Sequence, residues 1–494
     1  MDVYDILEKY AEYKAGQDGK KYDYSRARLK ENYNQYVNTW KAYYRGDVAG
    51  INTDIGFNGE ETYPIRRRSM RLAKIIAEKW STGLFSEAFK VTLKDDAETE
   101  KFNRLEKKID FRAKINQAAI FGYAEGTTAL LASADIDTIA ETETITSGKV
   151  KLDVIKYDSL YPLVFDQNDI KSIAFVRQEQ IKDKTIYTIG IHSLENGEAT
   201  IENLKATAKG KTVDFTALDT VKQNQIFKNP MYCIVKPDTA NDYTDILPFG
   251  QSIFADSLAA CEDVDLAADL LRRDISEGAQ VTFIGRDLLM EKIGKDGEKK
   301  RLFENTKGRF FAISQNLAEG GRDIKQLFEK CVPEIRTEQL WKVIKDSLNW
   351  ACMTSGLGKG SLDIVPMATA TQVIHTEAEK MQNKSLHEQY LEGQIIQLVR
   401  ALCELSTMTG IPIDASVVNI VWEDSVIVDT ADQKRIALLE IDNGVISSAE
   451  YRVKFYGETE EEAAAKIAAI NKDKPFDEGL SDDFYGETDR LSVG

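Results

Sequence analysis

The sequence predicts a mixed α+β protein, and three observations predict it. A stretch from Gly148 to Lys236 alternates or runs apolar between turn signals, as strands do. Two helical patterns then flank a short strand-rich insert, Gln280 to Cys331, an arrangement like an antiparallel stalk with a head at its far end. The C-terminal part carries three short helices, each opened by residues at capping-box spacing.

Taken in order, residues to about 45 read as helix, with "WKAYYRGD" closing on Arg45, Gly46 and Asp47, where a glycine stop is expected. In "SMRLAKIIAEKWSTGLF", Leu72, Ile75, Ile76, Lys79 and Trp80 recur at helical spacing, and "FRAKINQAAIFGYAEG" predicts a further helix. The strand candidates are "KVKLDVIKY", "KTIYTIGIH", "ENGEATIEN" and "MYCIVK". After Asp245, Phe254, Leu258, Cys261, Ala268, Leu271 and Ile275 step by threes and fours to a stop at Gly278, predicting a rod of about 40 Å. Its other faces carry Asp256, Glu262, Asp263, Asp265, Asp269 and Asp274.

The insert follows with "QVTFIG", "KKRLFEN" and "GRFFAIS". Pro333 ends it, and the next helix should turn Leu340, Val343, Ile344, Leu348 and Cys352 inward. Thr369 and Gln372 fit a capping box, so a long helix is expected from there to about Leu405, bending near Gly393. An apolar strand, "SVVNIVWEDSVIV", precedes helices opened by Thr430 with Gln433, Ser447 with Glu450, and Thr459 with Glu462. Gly444 and Gly457 sit at stops, and the tail is acidic.

At 494 residues the chain has room for several cores. Its apolar runs fall short of the roughly 20 residues a bilayer crossing needs, and its start lacks the pattern of a secretory signal, so assembly in a cytosol is expected. Five dispersed cysteines without a C-x-x-C pair, and three histidines, suggest buried small hydrophobes rather than a disulfide framework, a metal site or a Ser/His/Asp triad. A formal charge of −17 argues against gripping nucleic acid by neutralising phosphates, though not against surrounding DNA without holding it. The cluster Arg66, Arg67, Arg68, Arg71 and Lys74 reads either as a solvated or intersubunit ion-paired face or as a functional patch.

One turn invites a nucleotide reading: "GLGKGS", Gly356 to Ser361. A Walker A loop needs G-x-x-x-x-G-K-[ST], because its glycines let backbone N–H groups wrap phosphates and its hydroxyl ligates magnesium. Here Met353 stands five before Gly358, Gly360 follows Lys359, and a helix rather than a strand precedes the turn. A calcium-loop reading of "DNGVISSAE" fails for want of alternating carboxylates. From spacing alone no enzyme and no cofactor emerges.

The order of segments resembles the portal proteins of tailed double-stranded DNA bacteriophages, of the type found in phages of Gram-positive hosts. The matching stretches are "WKAYYRGD", the basic helix Arg66–Trp80, "YDSLYPLVFD", "LPFGQSIFAD", "VPEIRTEQLWKVIKDSLNWACMTSGLGKGSL", "MATATQV" and "ALLEIDNGVISSAEYRVKFYGETEEEA". That resemblance implies a structural, non-catalytic homo-oligomeric ring of about twelve subunits at one capsid vertex, through which double-stranded DNA is packaged and ejected without sequence specificity. Its implied partners are the terminase large subunit, docking at the clip and carrying the ATPase, a head-to-tail adaptor, and the major capsid and scaffolding proteins. No cofactor, metal or membrane is implied, and the expected location is the virion, after assembly in the host bacterial cytoplasm. The competing readings are a nucleotide-binding enzyme using "GLGKGS" and another minor capsid or connector protein.

Mapped onto this chain, the resemblance implies a wing over 1–244, stem helices over 245–279 and 332–356, a clip over 280–331 and a tunnel loop over 357–370. A long, kinked wing helix and a strand fill 371–429, and a crown with acidic tail 430–494. Gly356, Gly358 and Gly360 would be a hinge. Lys359, Ser361, Leu362, Asp363, Ile364, Val365, Pro366, Met367 and Ala368 would face the DNA path, Lys359 reading equally as a solvated lysine in a turn. Glu262, Asp265 and Asp269 would line the channel and repel phosphates; with twelve chains the ring would carry about 200 negative charges.

Overall fold

The computed structural model describes residues 2–57, 61–85, 89–136, 148–166, 169–195, 197–210, 212–218, 226–277, 281–285, 291–293, 299–301, 310–313, 328–331, 335–362, 370–422, 430–456 and 458–473. It forms two compact units, 1–422 and 423–494.

The first unit opens with α1 (Val3–Asp18), a short 3-10 turn and α2 (Leu29–Arg45), then the hairpin β1 (Thr53–Phe57) and β2 (Thr62–Arg66) and helix α3 (Leu72–Phe85). Strand β3 (Lys90–Leu93) precedes α4 (Asp96–Lys108) and α5 (Phe111–Glu125). Next come β4 (Thr128–Ile136), β5 (Gly148–Lys156), β6 (Leu160–Asp166), β7 (Asp169–Ile181), β8 (Lys184–Glu195), β9 (Glu198–Lys209), β10 (Thr212–Ala217), β11 (Ile226–Phe227) and β12 (Tyr232–Val235). Helix α6 (Leu258–Glu277) leads to β13 (Val281–Gly285), β14 (Glu291–Ile293), β15 (Lys299–Arg301), β16 (Phe310–Ile313) and β17 (Phe328–Cys331). Then α7 (Thr337–Thr354), α8 (Ala370–Met408) and β18 (Val418–Val421) complete it.

Local chemistry sets the boundaries. Asp2 and Asp5 cap α1 reciprocally, and Gly19, with φ at +73°, stops it, so the single helix expected to residue 45 is two. Gly46 ends α2 with φ at +72°, and a Cβ there would lie 2.6 Å from Ser69 Cβ, so both backbone and space require glycine. Helix α4 was not expected; Asp95 caps it by accepting from the Glu98 amide.

Strands β6 to β10 form a meander, with β11 added beside β9. Alternation places Tyr187, Ile189 and Ile191 on one face against Ile6, Leu7 and Ala11 of α1. Ile173 and Phe175 point the other way, onto Tyr232 and Ile234 of the sheet β12-β4-β5. The main core joins Trp40, Ile76, Trp80, Phe111, Tyr123 and Phe254 to Leu398 and Leu402 of α8. At 39 residues α8 spans about 58 Å and runs through Gly393 without interruption. In the insert, β13 pairs β16 in parallel and β17 antiparallel, and β14 pairs β15.

The second unit holds α9 (Thr430–Asp442), α10 (Ser448–Tyr456) and α11 (Glu460–Asp473). Both amide and hydroxyl of Ser447 engage Glu450, whose own amide donates back, and Thr459 with Glu462 repeats the reciprocal pair. Gly444 stops α9 at φ +72°. Thr369, Gly457 and the acidic tail lie outside the described residues.

Candidate functional site at the helix pair and glycine turn

Helices α6 and α7 run antiparallel and are tied at both ends. Where α6 finishes and α7 begins, the Arg336 guanidinium donates to both oxygens of Asp274 at 2.8 and 3.0 Å, holding that carboxyl below the usual carboxylate range. Where α6 begins and α7 finishes, Ser257 Oγ and Thr354 Oγ1 lie 2.7 Å apart. The strand insert therefore joins the pair at one end and the glycine turn leaves it at the other.

Helix α6 is shorter than expected. The helix expected from 245 begins only at Leu258: residues 247–254 are an irregular, buried stretch followed by a 3-10 turn over Ala255–Ser257, and side chains and neighbouring main chain satisfy their backbone. Tyr33 OH donates to Gly250 O, Thr127 Oγ1 accepts from Gly250 N at 3.0 Å, and Ile253 N donates to Tyr123 O.

All three acids expected to line a channel are engaged within the chain. Tyr43 OH donates to Glu262. Asp265, 7% exposed, accepts from Asn52 Nδ2 at 2.9 Å and from the Met70 amide at 2.6 Å. Asp269 meets Arg67 Nε at 3.7 Å and Arg273 Nε at 3.0 Å. These carboxylates bolt α6 onto the segment from Tyr43 to Met70, because a buried acid is tolerated only when its oxygens are paired. Of the arginine cluster, Arg67 is the one absorbed in this way; it also donates to the carbonyls of Gly50 and Ile51.

The glycine turn has a fixed root. Gly356, Gly358 and Gly360 have φ of +74°, +80° and +86°, the region that favours glycine. Gly356 is the stop of α7: its amide donates to Met353 O and that of Leu357 to Cys352 O. Trp80 Nε1 donates to Ser355 O and Asn383 Nδ2 to Gly356 O, both at 2.8 Å, clamping the turn between α3 and α8. Behind them His387 Nδ1 accepts from the Asp238 amide at 3.1 Å, and burial pushes this imidazole down to about 4. Lys359 is exposed, Leu362 packs beside α6 and α7, and the Ser361 hydroxyl donates back to Leu357 O rather than outward. That hydroxyl is turned away from the role a magnesium-binding loop would give it. Asp363, Ile364, Val365, Pro366, Met367 and Ala368 lie outside the described residues.

Several inward residues of the pair were misassigned by spacing alone. Ile344, Ser347, Ala351 and Cys352 are buried on α7, whereas Val343 is exposed; Ile275 on α6 and Ile75 on α3 are exposed too. Sequence reasoning also missed Asn52, in the turn before β1, and Asn383 and His387 of α8 as supports of the site; a polar residue carries no local mark of what it will meet. Among the described residues no cluster of His, Cys, Asp and Glu could hold a metal, and no helix is long and apolar enough to cross a membrane.

No curated protein matches this chain. Among solved structures, a chain from "Neck of native GTA particle computed with C12 symmetry" is similar at 11% identity, over 78% of this chain and 88% of that one; its TM-score of 0.34 is too low to carry an argument. The family described as "Phage portal protein, SPP1 Gp6-like" matches residues 19–474, nearly the whole length, so the chain belongs to the SPP1 Gp6-like family of phage portal proteins.

Proposed function

We propose that this chain is the portal subunit of a tailed-phage head, one copy of a ring at a capsid vertex whose central channel passes double-stranded DNA during packaging and ejection. Membership of a structural, non-enzymatic virion family carries the reading. The antiparallel pair α6/α7, with the strand insert at one end and the glycine turn at the other, supports it. A ring of about twelve copies, a terminase docked on the insert, and contacts with an adaptor, the capsid shell and scaffolding proteins complete the proposal.

The physics suits DNA that must slide. Affinity for a duplex rises with each phosphate neutralised, so a channel subunit should present net negative charge, and this chain carries −17. Glu262, Asp265 and Asp269 contribute to that field from inside the subunit, holding α6 in place. The tunnel loop would leave from Leu362. Since Trp80 and Asn383 hold the Ser355 and Gly356 carbonyls, Gly358 and Gly360 would be its pivot, with exposed Lys359 between them. Apolar Ile364, Val365, Pro366 and Met367 would touch DNA without gripping it.

Deleting Asp363 to Met367 should leave the ring assembled while lowering the yield of DNA-filled heads. A normal yield of full heads rejects the loop assignment.

A further inference from the structure

The helix pair is apolar on both of its broad faces. On one, Met70, Ile75, Leu271, Ile275 and Trp341 line a groove of about 470 Å³. Met70 and Ile275 there are 55% and 61% exposed. On the other stand Leu266 and Leu270 of α6 with Val343, Trp350 and Met353 of α7, Trp350 being 58% and Met353 52% exposed. At about 100° per residue the groove residues and the Trp350 row lie roughly opposite each other around α7, and the two rows of α6 do likewise. Two antiparallel helices with matching offsets put one row of each on the same side, so the layer has a groove face and a ridge face.

Exposed apolar patches on this scale mark interaction surfaces. We infer that the occupant of the groove is the ridge of a second copy of this chain, with Trp350 as the anchor. Complementary surfaces on opposite faces of one layer make a head-to-tail contact, the kind that, where its rotation closes, builds a ring and leaves no face uncovered. An isologous dimer would cover one face and leave the other in water. Charge agrees: Arg272 borders the groove and pairs with no carboxylate among the described residues, while Asp263 and Asp346 stand exposed on the ridge side. A tryptophan in a desolvated pocket is the residue type that most often dominates such a contact. The inference rests on the ring reading above and adds which surfaces build the ring.

The test combines cysteine crosslinking with native mass measurement on the full chain. Met70→Cys with Trp350→Cys should give, on mild oxidation, a ladder of crosslinked multimers from rings of unchanged mass, against a blank of the unmutated protein with its own cysteines. Trp350→Cys alone should give no crosslinked dimer, and Trp350→Ala should raise the assembly midpoint at least about tenfold. Rings that form normally with no crosslink in the double variant overturn this interface and leave the portal reading standing. A crosslinked dimer from the single variant also overturns it, because ridge would then meet ridge. Protein that stays monomeric throughout overturns both.

Discussion

The core of the first unit and the helix pair dispose of their side chains in opposite ways. In the core, polar groups lie inside and are paired there: Lys30 is fully buried, yet its side chain donates to the carbonyls of Tyr157, Asp158 and Leu160 and lies over the rings of Tyr157 and Tyr161, while Thr128 Oγ1 is one of the few buried side-chain polar atoms without a hydrogen bond among the described residues. Burial pushes its pKa well down, and the nearby Asp158 carboxylate acts against that shift. On the helix pair, large apolar groups lie outside and uncovered. The first region is complete within one chain; the second is built to be completed by another surface.

That contrast can be broken by substitution. The largest effect should come from Lys30→Ala, which takes a buried donor away from the Tyr157, Asp158 and Leu160 carbonyls and should cost at least about 3 kcal/mol in urea unfolding. Asp265→Ala should follow at about 2 kcal/mol, since Asn52 and the Met70 amide lose a buried acceptor; a shift no larger than that of Asp263→Ala would mean that α6 is not held by this carboxylate.

Acid should act on the core next. Buried neutral His387 and His192 have folded pKa values of about 4 and about 3, below the unfolded value of about 6.5. The unfolded chain therefore binds protons first, and stability present above pH 6.5 is lost as pH falls. Lowering pH from 8 to 5 should cost about 2 kcal/mol per histidine. Glu125, whose carboxyl burial pushes up, works in the other direction and offsets part of this. His387→Gln should flatten the slope.

The smallest effects should lie on the outer face. Trp350→Ala should change monomer unfolding by less than about 1 kcal/mol, and Asp263→Ala by less than about 0.5. A large loss from Trp350→Ala in dilute monomer would show that the ridge belongs to the subunit core.

What the sequence disclosed follows the same division. Features written in neighbouring residues were legible: the capping pairs at Ser447 and Thr459, the glycine stops at Gly46 and Gly444, and the turn at Gly197 joining β8 to β9. Features that depend on distant partners were not. Acids at Glu262, Asp265 and Asp269 make the same pattern on a helix whether they face water or Tyr43, Asn52 and Arg67. Residues 247–254 were expected inside the helix, and what holds them irregular is Tyr33, Tyr123 and Thr127, all distant in sequence. Val343 and Ile275 looked inward because a helix with apolar groups all round has more than one interface, and spacing cannot say which is filled by its own chain. The order of segments was the one long-range signal, and it led to the family.

The most direct measurement is the mass and symmetry of the purified protein, by native mass spectrometry with negative-stain class averages. The account predicts a closed ring of about twelve copies with a central hole. A stable monomer or dimer at tens of micromolar would contradict it.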